Sequence, residues 1–398
     1  MKAIIVGGGI GGLTTALCLT KLGWQVELLE KATAHGAVGA GLQVSPNAMK
    51  VYQALGIDVQ LQESGFQPEA IELRMGMSGF PLVRAPLGNL AIARWGAPYL
   101  HIHRADLLSV LVTSLEARVP GALTFGAPVT NYHQSEKGAE VTLADGRKML
   151  GDVVIGADGI HSSIRTQMLG TDKPRFTGNV AWRAVVPVER LGGNVPNPVA
   201  GAWMGRGKHA VTYLLRRGEL ANLVAVVERE DWTEESWSTQ GSYEEAMRDF
   251  SGWHPTITRL IKEAETLYRW ALFDRPPLET WIDGRVALLG DAAHPMLPFM
   301  AQGAAMAIED AWAIASTLNK AQTVQEALKN YQMLRYERAS AIQAASSANA
   351  SLFHQRSFVG RLTTYGPMWL AGRIAPKLAL RRQDSVYAYD IVTKTEAL

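Results

Sequence analysis

Cysteine is nearly absent from this 398-residue chain, with Cys18 the single example. That excludes an intrachain disulfide framework and makes a reducing cytoplasm the expected compartment. Cys18 falls inside a helical stretch without neighbouring metal-ligand residues, so a buried inert thiol and no metal site are expected. Excess charge is also lacking. Lys and Arg total 39 against 37 Asp and Glu, a net charge of +2, which leaves no electrostatic footprint for nucleic acid. No apolar run reaches the roughly 18–20 residues of a membrane span, so stable membrane insertion is not expected. Repeats and low-complexity tracts are missing too. What is there is 47% hydrophobic and 19% charged, an ordinary globular composition, and the length exceeds the ~250–300 residues at which one core stops growing.

The most informative stretch is the first thirty residues. Ala3-Ile4-Ile5-Val6 reads as a buried parallel strand, and Gly7-Gly8-Gly9-Ile10-Gly11-Gly12 follows at once, giving Gly7-x-Gly9-x-x-Gly12. A helix is expected over Leu13 to Leu22, then a strand over Trp24 to Leu29, ending on Glu30. Strand, glycine turn, helix, strand and terminal acid form the context of a dinucleotide site. The glycines let the backbone approach a pyrophosphate, the helix N-terminus offers free N–H groups, and Glu30 is placed to accept from an adenosine ribose. Lys2 before an apolar run also suggests a signal peptide. The glycines and the lack of a small-residue cleavage site argue against it.

Further on, Lys31 to Gly41 is a loop with Gly36, Gly39 and Gly41, able to lie against a flat ligand. Ser45-Pro46-Asn47 opens a helix ended by Gly56. Residues 66–100 suggest short strands, and Leu107 to Ala117 an amphipathic helix. Strands are expected over 123–150, with a turn at Ala144-Asp145-Gly146-Arg147. Val153-Val154-Ile155 is a buried strand entering Gly156-Ala157-Asp158-Gly159. From Phe176 to Glu230 the pattern becomes antiparallel strands with hairpin turns such as Arg217-Gly218-Glu219. Helices are expected at 243–250 and 256–265, a strand at Val286 to Leu289, then helices from Gly303 to Leu318 and across 324–352. Parallel strands so far apart in sequence imply one nucleotide-binding domain assembled from several segments, with a β-rich part inserted.

Three constellations appear in order: Gly7-x-Gly9-x-x-Gly12, Gly156-Ala157-Asp158-Gly159 with Arg165, and Gly290-Asp291-Ala292-Ala293-His294-Pro295. With Pro298-Phe299-Met300-Ala301-Gln302-Gly303-Ala304-Ala305, Ile308-Glu309-Asp310-Ala311, Arg104, Ala181-Trp182-Arg183 and Tyr387-Ala388-Tyr389-Asp390, the chain resembles the single-component FAD-dependent aromatic hydroxylases. The likeness spans almost the whole chain and is strongest to salicylate, 3-hydroxybenzoate and 6-hydroxynicotinate hydroxylases. It implies an α/β fold: a Rossmann-like FAD-binding domain of the glutathione-reductase type, an inserted antiparallel β-sheet substrate domain and C-terminal helices. The expected division is 1–70, 101–175 and 271–360 for FAD, 71–100 and 176–270 for the β-rich domain, and 361–398 packed on the FAD domain.

The resemblance also implies roles. FAD would contact Gly7, Gly9, Gly11, Gly12, Glu30, Lys31, Arg104, Asp158, Asp291, Gly303 and Ala304. Asp291 would hold the ribityl hydroxyls by charge-assisted hydrogen bonds. The helix starting at Gly303 would aim its positive end at the flavin pyrimidine. Asp158 and Arg165 match the motif for contacting both FAD and the nicotinamide, though Asp158 equally suits holding the turn. No second GxGxxG appears, as expected where NADH or NADPH is a transient co-substrate.

For catalysis, Lys208 to Leu215 reads as a strand whose residues 209, 211, 213 and 215 share a face. His209-x-x-x-Tyr213 resembles the substrate-contacting pair of the hydroxybenzoate and hydroxynicotinate enzymes. His209 is the candidate base and Tyr213 the candidate orienting group. Arg183 would pair with a substrate carboxylate or sit at the sheet edge, Pro295 and Phe299 would touch substrate, and His294 is read as mainly structural. Phe299 stands where some relatives carry His, which leaves the substrate's polar anchors open. The expected reaction is hydroxylation of a small phenolic or N-heteroaromatic acid with NAD(P)H and O2 through a C4a-hydroperoxyflavin. The alternatives are a flavin epoxidase or oxidase on a larger apolar substrate, and a non-catalytic FAD-binding protein. Monomer and homodimer both remain open. The tail mixes Trp369, Leu370, Ile374 and Leu378 with Arg361, Arg373, Lys377, Arg381 and Arg382; breaks are expected at Gly366, Pro367 and Pro376.

Overall fold

The computed structural model describes residues 1–34, 36, 40–172, 174–229, 240–375 and 380–397. Its organising element is a six-stranded sheet built from distant segments. β1 (Lys2–Val6) pairs in parallel with β2 (Gln25–Leu29) and with β11 (Val153–Gly156), and β11 pairs in parallel with β18 (Val286–Leu288). Parallel β7 (Leu123–Thr124) and antiparallel β17 (Ile282–Asp283) form the edges. Ala3, Ile4, Ile5, Val153, Val154 and Ile155 are completely buried, as continuous apolar runs must be when both sheet faces are covered. Helix α1 (Ile10–Lys21) packs on this sheet and against α5 (Arg104–Arg118) and α9 (Gly303–Lys320), while a three-stranded sheet of β8 (Val129–Ser135), β9 (Gly138–Leu143) and β10 (Lys148–Gly151) packs against β1 and β11. A small antiparallel pair, β3 (Gly41–Val44) and β6 (Leu100–His103), leads into α5.

A seven-stranded sheet forms the second layer. Its order is β16 (Tyr268–Asp274), β12 (Arg175–Pro187), β15 (Leu220–Glu228), β14 (Lys208–Leu215), β13 (Ala200–Gly205), β4 (Ala70–Met75) and β5 (Pro81–Pro86). Its back face holds Val180, Trp182, Ala184, Ala210, Leu223 and Ala225 against α7 (Tyr243–Asp249) and α8 (Pro255–Glu263), a closed apolar core. The two-residue alternation therefore sends Ala181, Arg183, His209, Val211, Tyr213, Val224 and Val226 to the front. The α/β fold with an antiparallel sheet inserted between dinucleotide-binding segments is the one expected.

Two local expectations fail. Short strands were expected in 66–100, and β4 and β5 are found there, but Asn89–Trp95 is a helix, α4, bounded by Gly88 and Gly96. Ala91 and Trp95, one helical turn apart, insert into the main core, and that burial decides the conformation. In the tail, α11 (Phe358–Ile374) runs through Gly366 and Pro367 without a break. Tyr365, Met368 and Trp369 pack on Leu82, Val83 and Met204 of the seven-stranded sheet, so tertiary contact overrides proline's weak helix propensity. Gly39, Pro376, Lys377 and Leu378 lie outside the described residues.

The remaining helices brace the nucleotide layer. α2 (Pro46–Leu55) ends on left-handed Gly56 as expected, with α3 (Asp58–Ser64) beside it, and α6 (Ser163–Leu169) follows the turn after β11. The long α10 (Val324–Phe353) crosses α9, while α12 (Arg381–Tyr387) and α13 (Ile391–Glu396) pack on α2 and α9. Lys50 donates to the carbonyls of Ala388 and Tyr389, tying the Tyr387–Asp390 motif to α2. No helix among the described residues is long and apolar enough to cross a membrane.

Candidate active site

Between the two sheets lies a cavity of about 560 Å³ that runs from Glu30 and Lys31 to His209 and Phe299. Its first wall is the glycine turn. Gly7 adopts φ +109°, and a side chain there would strike the Ala157 carbonyl at 2.4 Å. At Gly12 an added Cβ would lie 1.9 Å from the Gly7 carbonyl, so Gly12 serves the close packing of α1 and does not itself line the cavity. Gly9 and Gly11 do line it, and Gly9 has nothing within 4 Å of where a Cβ would stand. α1 starts at Ile10 with no side-chain cap, so its first N–H groups are free at the cavity wall. The Glu30 carboxylate is oriented by the Gly8 N–H at 2.6 Å and the Ala32 N–H at 2.8 Å.

The middle of the cavity is set by two turns held together by Arg165. Its buried guanidinium donates to the carbonyls of Ile160 (2.6 Å) and Ala292 (3.2 Å), and it lies behind the cavity wall, outside the lining. Asp158 Oδ2 accepts from Ser163 N and Oγ and holds the turn, while buried Oδ1 has no partner among the described residues. Asp291 opens onto the cavity, yet the protein around it desolvates the carboxyl. That raises its pKa, an effect opposed by His294, Arg104, Arg165 and Arg275. Arg104, at the start of α5, lines the same wall.

The third wall is the start of α9. Gly303 and Ala304 line the cavity, and the helix has no side-chain cap. Its position is staked by Gln302, which donates to Ser45 Oγ at 3.0 Å and accepts from Asn47 at 3.2 Å. Ala301, before it, is held at φ +54°, a conformation costly for a residue with a Cβ. Behind this start, Arg335 pairs with Glu309 at 2.5 Å and with Asp310 at 2.8 Å, and all three are fully buried. His294 Nε2 sits 2.5 Å from Asp310 Oδ2. Burial would raise the Asp310 carboxyl, but His294 and Arg335 bring it down to about 2. His294 thus has a structural partner, as its reading predicted.

The roof is the front of the seven-stranded sheet. His209, Val211 and Tyr213 of β14, Val224 and Val226 of β15, Arg183 of β12 and Trp270 of β16 all line the cavity. His209 is buried, which drives its pKa well below the ordinary value, and His354 pushes it the same way. Its ring packs against Phe299 (5.3 Å) and Phe353 (5.0 Å), and Nδ1 lies 2.7 Å from His354 Nε2. Burial raises the Tyr213 hydroxyl's pKa. Arg183 stacks on Trp270 at 5.5 Å, no carboxylate among the described residues pairs with it, and burial lowers its pKa to about 10. Pro295 is not in the wall: it is buried, with its carbonyl held by Gln343, and Met296 to Phe299 line the cavity in its place. His354 and Trp270 were not singled out from sequence. The alternation of β15 did carry a signal for Val224 and Val226.

The residues present fit a bound dinucleotide flavin: a side-chain-free cradle at an uncapped helix start, an oriented carboxylate at the end of the neighbouring strand, and a second uncapped helix start at the far end. Residues 1–346 match the family described as "FAD binding domain". The chain is 38% identical to a 3-amino-4-hydroxybenzoate 2-monooxygenase of Streptomyces platensis, over 89% of this chain and 88% of that one. It is 37% identical to 6-hydroxynicotinate 3-monooxygenase of Bordetella bronchiseptica, over 88% and 92%. A crystal structure of salicylate hydroxylase with its substrate superposes with a TM-score of 0.82 at 27% identity, covering 100% of this chain and 97% of that one. The glycine cradle, the two-layer fold and these likenesses agree on one conclusion: the chain belongs to the FAD-binding-domain family and is an FAD-dependent aromatic monooxygenase.

Proposed function

We propose that the enzyme hydroxylates a small aromatic carboxylic acid, phenolic or N-heteroaromatic, at the expense of NADH or NADPH and O2. The observation that carries this reading is Arg183. It is a guanidinium without a carboxylate partner among the described residues, in a wall that is otherwise mostly apolar and shares a face with His209 and Tyr213. A buried cation is costly unless an anion joins it. Arg183 lies opposite Val224 and Val224 opposite Val211, so two strand spacings, about 10 Å, separate the backbone of Arg183 from the strand bearing the base. The same face thus offers a cation for a carboxylate and a base for a ring hydroxyl within one cavity.

In this reading the glycine cradle, Glu30, Lys31, Arg104, Asp158, Asp291 and the start of α9 hold FAD. The redox chemistry, hydride acceptance from NAD(P)H and activation of O2, is what FAD supplies when bound. Arg183 binds the substrate carboxylate, and Tyr213 orients the ring. His209, neutral because burial disfavours its cation, takes the ring hydroxyl's proton and so raises the ring's electron density. Val211, Val224, Val226 and Phe299 keep water from the reacting centre. The relatives named for hydroxybenzoate and hydroxynicotinate substrates support this class.

The test is oxidation of NADH and NADPH by the purified flavoprotein against a panel of hydroxylated aromatic acids, with product identification. A hydroxylated product from one acid is expected. Stimulated oxidation that yields only peroxide with every acid would refute the proposal.

A further inference from the structure

His209 lines the cavity but is otherwise enclosed. Phe299 and Phe353 stand at 5.3 and 5.0 Å from its ring, and its polar partner among the described residues is His354, with Nδ1 to Nε2 at 2.7 Å. His354 is itself buried, and its other nitrogen, Nδ1, lies 3.0 Å from Glu228 Oε1. Glu228 is one-quarter exposed, and its second oxygen accepts from Arg356, whose side chain is 70% exposed. Three titratable groups therefore stand in line from the cavity wall to the surface, each within hydrogen-bond distance of the next.

We infer that His354 and Glu228 are the proton exit of this site, receiving through His209 the proton that leaves the substrate's ring hydroxyl. This rests on the reading above that His209 is the base. With Nδ1 of His209 donating to His354 and Nδ1 of His354 donating to Glu228, Nε2 of His209 is left as the acceptor facing the cavity. The substrate O–H bond breaks as an N–H bond forms at His209 Nε2. The His209 Nδ1 proton passes to His354 Nε2, and the His354 Nδ1 proton passes to Glu228, which releases it to water. Both imidazoles begin and end neutral, with exchanged tautomers. The only new buried charge is the phenolate. Such a sequence suits rings whose burial opposes the cationic form, since neither has to hold a full positive charge. Glu228 and Arg356 are the charged groups that face His354 among the described residues.

His354 acts through His209 and is a positioning and relay residue, so its test must read proton movement and not turnover alone. The probe is 4-hydroxy-3-nitrobenzoate bound to the oxidised holoenzyme, with nitrophenolate absorbance followed after a stopped-flow pH jump. In the wild type the bound probe should ionise within the mixing time. In His354→Ala the ionisation should slow by about tenfold or more, with flavin content and probe affinity retained, and added imidazole should restore the rate. Glu228→Gln should slow it too, and decides the matter if His354→Ala fails to retain FAD. An unchanged rate in a variant that keeps FAD and binds the probe overturns the relay. If the relay behaves as stated but no acid is hydroxylated, the proposed substrate class falls and the proton path stands. If an acid is hydroxylated and the rates do not change, the relay alone falls.

Discussion

Replacing Arg183 with methionine separates function from stability in opposite directions. A charge-assisted pair between a desolvated guanidinium and a carboxylate contributes about 1.5–3 kcal/mol, so binding of the aromatic acid should weaken by about 10- to 150-fold. A ligand of the same ring lacking the carboxylate should bind almost unchanged. Without ligand, the arginine is a liability. Burial lowers its pKa from 12.5 to about 10, and a cation with a depressed folded-state pKa destabilises the fold at every pH below that value, with the full cost present at neutrality. Loss of the Trp270 stacking, about 0.5–2 kcal/mol, offsets part of the gain. The thermal midpoint of ligand-free Arg183→Met holoenzyme should therefore not fall. Titration of flavin fluorescence with the acid and with its carboxylate-free analogue, beside a thermal scan, makes the measurement. Acid affinity within about twofold of wild type, or equal weakening of both ligands, refutes the assignment of Arg183 as carboxylate anchor.

His209→Gln should retain substrate binding but lose about 10²- to 10⁴-fold in kcat, read by single-turnover product formation. Gly12→Ala places a methyl group 1.9 Å from the Gly7 carbonyl. It should yield a colourless protein, checked by the flavin absorbance after purification in excess FAD. His101, packed between Phe66, Tyr99 and Tyr213, has its pKa lowered by burial from the ordinary 6.5 to about 3. Its folded-state pKa is depressed, so stability is complete above pH 6.5 and falls as pH drops toward 3. Urea midpoints should decline over that range, and His101→Phe should flatten the decline.

Local signals carried the nucleotide half. Gly7 to Glu30 encodes strand, turn, helix and acid within one contiguous stretch, and the steric demand at Gly7 and Gly12 is visible in the residue types themselves. His209 and Tyr213 were legible because a strand's period is fixed at two, which also sends Trp182 to the core and Arg183 to the cavity. The helix at Asn89–Trp95 was hidden among Pro- and Gly-rich neighbours, since only burial of Ala91 and Trp95 selects it. Pro367 inside α11 misled for the same reason. Pro295 belongs to a motif whose neighbours reach the cavity, and a motif does not say which of its members face inward. The contact of His354 with Glu228 joins residues 126 apart in sequence through the close of α10 against β15. No spacing rule reports such a meeting.

The parallel sheet has a consequence for how the protein is made. β1, β2 and β11 have all been synthesised by residue 156, yet β18 and Asp291 follow about 130 residues later, after most of the second layer. At roughly 5–20 residues per second, the nascent nucleotide half waits some 7–26 s for its last parallel strand. During that interval β11 offers an open, wholly apolar edge. Completion of the flavin cradle is therefore a late event in synthesis, and FAD capture marks chains in which the inserted sheet has already emerged and stepped aside.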